Sequence, residues 1–219
     1  MNRLPDHIAM ITDPRSDVAE AYRTLRTNIQ FTNSANKVRT IAVTSSAPLE
    51  GKTTTAANLA ACMAQAGLRV VLIDADLRRP ALHKVFGLPN DAGLVTLLAG
   101  QTDRLEGLLL PTPVPGLMLL PSGPIPLNPA ELLAKGVFAD VLGYLCSETD
   151  YIVVDTPPVA VVTDAAIVSS VVDGVILVVS KATRQAVLQA VSNLRNVHAH
   201  ILGLVLNQYE SGHDRYYHY

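Results

Sequence analysis

Ser45-Ser46-Ala47-Pro48-Leu49-Glu50-Gly51-Lys52-Thr53-Thr54 narrows the possible folds more than any other stretch of the chain. It follows an apolar, β-branched run at 40–44 and precedes a helical pattern at 55–66. A Gly-Lys-Thr turn between a buried strand and a helix is the setting that a phosphate-binding loop requires. Backbone N–H groups at a helix N-terminus face an anion, Lys52 adds a mobile positive charge, and the Thr53 hydroxyl suits a magnesium shell. Pro48, Leu49, Glu50, Gly51, Lys52, Thr53 and Thr54 are therefore the candidate nucleotide-binding residues. The general pattern also asks for glycine six positions before the lysine, and that place holds Ser46.

Two further apolar runs end in carboxylates. Residues 69–76 read as a buried parallel strand that finishes in Asp74 and Asp76. If strand geometry persists, residues two apart point to one side, where two like charges need a cation or donors between them. A catalytic or metal-linked role for this pair is expected. Residues 151–158 form a second such strand, with Asp155 at its exit and Pro157 and Pro158 blocking continuation. This matches the strand whose aspartate holds magnesium through water or accepts from the loop hydroxyl.

Other strands are expected at 117–120, 174–180 and 201–207. Helices are expected over 17–30 behind a Ser16 cap, from 128 to about 146, from 164, and over 184–197. Asn128, Pro129 and Glu131 supply the cap, first-turn proline and capping glutamate of the 128–146 helix. This alternation implies an α/β fold, a mostly parallel β-sheet with helices on both faces, that binds ligands at the carboxyl ends of its strands. Asn207, at the last strand's end, either faces the adenine edge or forms a turn.

Composition is consistent with one such domain. The chain has 219 residues, 49% hydrophobic and 16% charged, which is enough to bury a large core. We divide it into a lead-in over 1–15, a nucleotide-binding domain over 16–207 and a tail over 208–219. A net charge of -2 without a long basic run gives no electrostatic reason to expect nucleic acid. Cys62 and Cys146 lack metal-ligand spacing and read as buried thiols of a reducing cytoplasm. No apolar run approaches the roughly 20 residues of a spanning helix, and the start lacks a signal-peptide core. A cytoplasmic chain is expected, held at a membrane only through a partner.

Two surface features stand apart from the core. Glu20, Arg23 and Arg26 recur every three residues, a polar stripe that is either solvated or a self-complementary contact surface. Four of the seven tyrosines, Tyr209, Tyr216, Tyr217 and Tyr219, fall in the last eleven residues, among polar neighbours with no apolar pattern to bury the rings. Such a tail either docks through its rings or, with a phosphate loop in the same chain, presents hydroxyls that accept phosphate.

Together, the loop at 45–54, the strand at 71–76 with Arg78, the strand at 152–158, the Glu20/Arg23/Arg26 stripe and the tyrosine tail resemble the bacterial tyrosine kinases of capsule and exopolysaccharide synthesis. These are phosphate-loop proteins of the MinD/ParA-like superfamily, and the resemblance runs from about residue 16 onward. It implies ATP and Mg2+ as cofactors, with Lys52 and Thr53 on the phosphates and magnesium. Asp74, Asp76 and Asp155 would organise the metal and activate the acceptor hydroxyl, with Thr53, Asp74 and Asp155 as metal ligands. It further implies autophosphorylation at Tyr209, Tyr216, Tyr217 and Tyr219, and a ring-shaped homo-oligomer joined through Glu20, Arg23 and Arg26. A transmembrane chain-length regulator would activate the chain at the inner membrane face, and a phosphotyrosine phosphatase would oppose it. Leu49 stands where the family often has glycine. The alternatives are a positioning ATPase of the same fold, which carries an early loop lysine where this chain has Ala47, and a scaffold that binds nucleotide without turnover.

Overall fold

The computed structural model describes residues 8–32 and 38–209. In chain order the elements are α1 (Ala9–Thr12), α2 (Asp17–Thr32), β1 (Thr40–Ser45), α3 (Lys52–Gln65), β2 (Val70–Asp74), α4 (Leu82–Phe86), α5 (Leu94–Leu98) and β3 (Leu110–Pro111). They continue with β4 (Leu117–Leu120), α6 (Pro129–Leu133), α7 (Val137–Glu148), β5 (Tyr151–Asp155), α8 (Asp164–Ser169), β6 (Gly174–Val179), α9 (Arg184–Asn196) and β7 (Ile201–Leu206). The strands form one sheet in the order β3-β4-β2-β5-β1-β6-β7. All neighbours are parallel except the short β3, which runs antiparallel to β4. Every residue of β1, β2 and β5 is buried, as near-continuous apolar strands require when both faces of the sheet are covered.

Strand order is what positions the site. β5 lies between β1 and β2, so the ends of those three strands sit side by side. Asp155 pairs in register with Val43 of β1 on one side and with Asp74 of β2 on the other. The chain thus brings its phosphate loop and its two carboxylate strands to one edge of the sheet, across more than 80 residues of sequence.

One face of the sheet is covered by α1, α2 and α3. Ile41, Val43, Leu72, Val153 and Ile176 there meet Leu59, Met63, Tyr22 and Ile29. On the other face Val71, Ile73, Ile152, Val154 and Leu177 pack with Leu97, Phe138, Leu145, Val168 and Leu194. Helix α3 is enclosed, because α2 packs over it, and each residue from Thr55 to Ala64 is buried. Its alanines, Ala56, Ala57, Ala60 and Ala61, let the sheet and the outer helix approach together.

Several boundaries depart from expectation. Strand β2 stops at Asp74, so Asp76 lies beyond it and the two aspartates do not share strand geometry. The single helix expected over 128–146 is two helices, α6 and α7, separated by residues 134–136, where Gly136 weakens helix propensity. Cys62 is buried as expected, but Cys146 is only half-buried. Ser16 caps α2, its Oγ accepting from the Ala19 N–H at 3.2 Å. Among the described residues no helix is long and apolar enough to cross a membrane.

The described part of the expected lead-in is anchored. Ile8 and Met10 are 0% and 1% exposed, and the Met10 N–H donates to Asn58 Oδ1 at 3.3 Å. The Met10 carbonyl accepts from Gln65 Nε2 at 2.8 Å. A four-residue helix is too short to show a periodicity in sequence. Met10→Ala should cost about 2–5 kcal/mol in urea denaturation, the range for emptying a buried site. A change below about 0.5 kcal/mol would mean that this segment is not packed into the core.

Candidate active site

The phosphate loop leaves β1 and enters α3 through Gly51, which adopts the left-handed conformation at φ 85°. Leu49 is also left-handed, at φ 66°, with its side chain 95% exposed. Ser46, at the position of the missing glycine, donates its hydroxyl to Glu50 Oε2 at 2.8 Å. Glu50 itself is buried and turns back against the loop, so it braces the loop and does not line the cleft.

The loop forms one wall of a cleft of about 620 Å³. Pro48, Leu49, Gly51, Lys52, Thr53 and Thr54 line it together with Asp76, Arg78, Arg79 and, on the opposite wall, Pro157, Pro158, Val161 and Val162. Lys52 Nζ lies 2.7 Å from Asp76 Oδ2 and 3.4 Å from Asp155 Oδ1. Thr53 Oγ1 donates to Asp155 Oδ2 at 2.6 Å. Burial alone would lower the proton affinity of Lys52, but Asp155 and Asp76 outweigh it and hold the ammonium above the usual lysine value.

Asp74 behaves differently from its neighbour. Its Oδ2 accepts from the N–H groups of Ala81 and Leu82 at 3.0 Å each, while its Oδ1 is buried with no partner. Burial, aided by the charge of Asp155, pushes this carboxyl up to about 8. The structure therefore places Asp76, and not Asp74, on the lysine, because the strand ends before Asp76 and releases its side chain toward the loop.

Some expected residues sit elsewhere. Asn207 does not present its amide nitrogen to the cleft, since Nδ2 donates to the Glu50 carbonyl at 2.9 Å. In the stripe on α2, Arg23 pairs with Glu20 at 2.9 Å, and Arg26 Nη1 donates to the Cys62 carbonyl on α3 at 3.3 Å. Tyr209 is described and 71% exposed, just past Gln208 at the cleft rim. Tyr216, Tyr217 and Tyr219 lie outside the described residues.

A further pair escaped the sequence reading. Arg78 holds Asp164 with two hydrogen bonds, Nε to Oδ2 at 2.8 Å and Nη2 to Oδ1 at 2.9 Å. Asp164 is fully buried at the start of α8, so the pair ties the loop after β2 to the far end of the loop after β5. Those loops are two walls of the cleft. Their separation of 86 residues leaves no local signal, beyond an arginine following two strand-end carboxylates.

This edge of the sheet, with its loop lysine, paired carboxylates and cleft, defines a nucleotide-binding domain. The profile of the CobQ/CobB/MinD/ParA nucleotide binding domain matches residues 41–218. Within that class the chain is 38% identical over 221 residues to the tyrosine-protein kinase YwqD of Bacillus subtilis (strain 168), covering 100% of this chain and 93% of the relative. Of solved structures, the chimerical protein CapA2B2 superposes with a TM-score of 0.88 at 36% identity, over 93% of this chain and 90% of that one. The kinase domain of the Escherichia coli tyrosine kinase ETK gives a TM-score of 0.87 at 30% identity, over 96% and 84%. The chain belongs to the bacterial tyrosine-protein kinases of the MinD/ParA-type nucleotide-binding fold.

The Asp74 carboxyl gives a pH signature. Its usual value is 3.8 and its folded value about 8, so between those limits the folded protein holds a proton that the unfolded chain has released. The resulting stabilisation is fully present below about pH 4 and declines as pH rises toward 8. In metal-free, nucleotide-free buffer, denaturation across this range should show wild type losing stability relative to Asp74→Asn as pH increases. Parallel pH profiles would show that Asp74 is ionised at neutral pH.

Proposed function

We propose that this chain is an ATP-dependent protein-tyrosine kinase that phosphorylates its own C-terminal tyrosines between subunits and thereby regulates capsular or exopolysaccharide synthesis and chain length. The observation that carries the reading is the placement of Lys52, the strand-end Asp74 and Asp155 and the loop Asp76 beside a cleft whose rim, at Gln208, leads directly into the tyrosine segment. The acceptors are Tyr209, Tyr216, Tyr217 and Tyr219.

The residues present suit a magnesium nucleotide. Asp74 Oδ1 is a buried oxygen without a partner, and Thr53 Oγ1 and Asp155 are already adjacent. Among the described residues no group of three or more His, Cys, Asp or Glu is assembled to hold a metal alone. Magnesium binds through one or two carboxylates and completes its shell with phosphate and water oxygens. Thr53, Asp155 and Asp74 would hold it, and when bound it neutralises charge on the phosphates.

Lys52 is the mobile part. Its ammonium leaves Asp76 and Asp155 for the phosphate oxygens, exchanging one set of anions for another at little electrostatic cost. A tyrosine hydroxyl normally titrates near 10, so a proton acceptor is needed at neutral pH. Asp74 would give up its own proton once a bound cation offsets its burial, and it then accepts or orients the tyrosine proton as the phenolic oxygen attacks the γ-phosphorus. The bond to the bridging oxygen breaks and ADP departs. Asp76, freed from Lys52, orients the acceptor. Asp74 is buried here, so an acceptor reaches it only after the loop carrying Asp76 shifts.

Twelve extended tail residues span roughly 40 Å, which reaches either the chain's own cleft or a neighbour's. The Glu20–Arg23 pair is surface-exposed and worth little by itself, so it can exchange for pairs across a subunit boundary. This supports a ring built through Glu20, Arg23 and Arg26, with transfer between subunits. Phosphates on several tail tyrosines then repel one another and loosen the ring. The activating partner is the cytoplasmic part of a transmembrane chain-length regulator, which holds this cytoplasmic chain at the inner membrane face, and a phosphotyrosine phosphatase reverses the modification. Nucleic acid has no part in this scheme, in keeping with a net charge of -2.

Mixing full-length Lys52→Met chain with an active chain truncated after Gln208 tests the transfer. With ATP and magnesium, phosphotyrosine should accumulate on the Lys52→Met chain, faster at higher total concentration. An unmodified Lys52→Met chain, alongside active full-length protein that labels itself at a concentration-independent rate, would show that the reaction stays within one subunit.

A further inference from the structure

We propose that Glu50 and Asn207 are positioning residues that together clasp the phosphate loop and tie its shape to the root of the tyrosine segment. The inference rests on the nucleotide reading of the cleft and adds two residues that do not touch the ligand.

The loop needs such a device. It lacks the first glycine of the general pattern, having Ser46 there, and it carries Leu49 at φ 66°. A bulky residue held in the left-handed region is strained and persists only where the surroundings over-determine it. Glu50 provides those surroundings. Its carboxylate is buried and held by three donors: Ser46 Oγ at 2.8 Å and the Ala47 N–H at 2.7 Å on Oε2, and the Ser180 N–H at 3.0 Å on Oε1. The first two fold the loop onto itself. The third fastens it to the end of β6.

Asn207 closes the clasp from the other side. Nδ2 donates to the Glu50 carbonyl at 2.9 Å, and its own N–H donates to the Val179 carbonyl at 2.8 Å. Ser180, which already holds Glu50, also donates its hydroxyl to Gln208 Oε1 at 2.8 Å. Gly51 is what allows this approach, because a Cβ there would lie 2.0 Å from Asn207 Nδ2, at a φ of +85° that side chains rarely adopt. The phosphate loop, the end of β6 and residues 207–208 are thus one hydrogen-bonded unit. Tyr209 is the next residue, and Gln208 lines the cleft.

Two consequences follow. A loop held in shape before the ligand arrives binds it without a cost for ordering, so loss of the clasp lowers nucleotide affinity. Because linkage is reciprocal, a nucleotide that steadies the loop also steadies residues 207–209, and whatever displaces those residues weakens the nucleotide. The occupancy of the cleft and the departure angle of the tyrosine segment are then coupled.

The test uses the full chain, a fluorescent ATP analogue with magnesium, and hydrogen exchange of the peptide covering 204–209. Glu50→Gln replaces one acceptor oxygen with a donor that faces other donors, and should raise the Kd about tenfold, as for loss of one charge-assisted hydrogen bond. Asn207→Asp keeps the shape but loses the donor, and should weaken binding at least as much as Asn207→Ala. A residue that only fills space would tolerate aspartate. The double variant should lose less than the product of the single effects, since both act on one loop. In wild type, nucleotide should slow exchange over 204–209, and in Asn207→Asp it should not.

Tight nucleotide binding by wild type with Glu50→Gln and Asn207→Asp within twofold of it would overturn the clasp while leaving the kinase reading intact. Failure of wild type to bind any nucleotide would overturn both. If either variant melts without a cooperative transition, wild-type exchange decides alone: no nucleotide-dependent slowing over 204–209 overturns the proposal.

Discussion

Two aspartates at the ends of adjoining strands and a third in the loop just beyond, with Lys52 between that third and Asp155, form the arrangement on which the rest of this structure depends. Asp155 and Asp74 sit in register on neighbouring strands and are both fully buried, so their charges would repel strongly without compensation. The protein resolves this in two ways. Lys52 and Thr53 satisfy Asp155, while Asp74 takes two backbone N–H donors and keeps its proton to a far higher pH than an ordinary carboxyl. The remaining imbalance, an acceptor oxygen with no partner and a lysine held by anions it can leave, is the chemistry of a site awaiting a charged ligand.

The fold exists to assemble that edge. A parallel sheet with β5 inserted between β1 and β2 is the simplest way to bring three distant loops within hydrogen-bonding distance, and each strand must be apolar throughout because helices cover both faces. Polar residues are therefore confined to strand ends. The two walls of the cleft are then joined by Arg78 and Asp164, and the phosphate loop that forms a further wall is braced by Glu50.

Much of this was legible in the sequence, for identifiable reasons. Apolar runs ending in Asp74 and Asp155, and a Gly51-Lys52-Thr53 turn ahead of a helix, are local signals, and local signals fix the element and its polarity. What stayed hidden was either too short or too distant. The α1 turn carries Met10 into the core without any period to reveal it. Asp76 shares a side with Asp74 only if strand geometry persists to it, and β2 ends at Asp74. Asn207 reads as either a base contact or a turn former, and neither reading points to the Glu50 carbonyl, 157 residues away in sequence, that its amide meets at 2.9 Å. Glu50 looked like one more residue of the nucleotide cradle, and only the positions of Ser46, Ala47 and Ser180 show that its carboxylate faces inward.

The central claim is that this lysine and carboxylate arrangement moves phosphate from ATP to tyrosine oxygen, and does not merely bind or hydrolyse the nucleotide. Incubating the purified full-length chain with ATP and magnesium, then mapping phosphorylated peptides by mass spectrometry, tests it most directly. The account predicts phosphate on tyrosines of the segment 209–219, absent when Lys52 is replaced by methionine. ATP consumed at a steady rate with no phosphate on any tyrosine of the chain would contradict it.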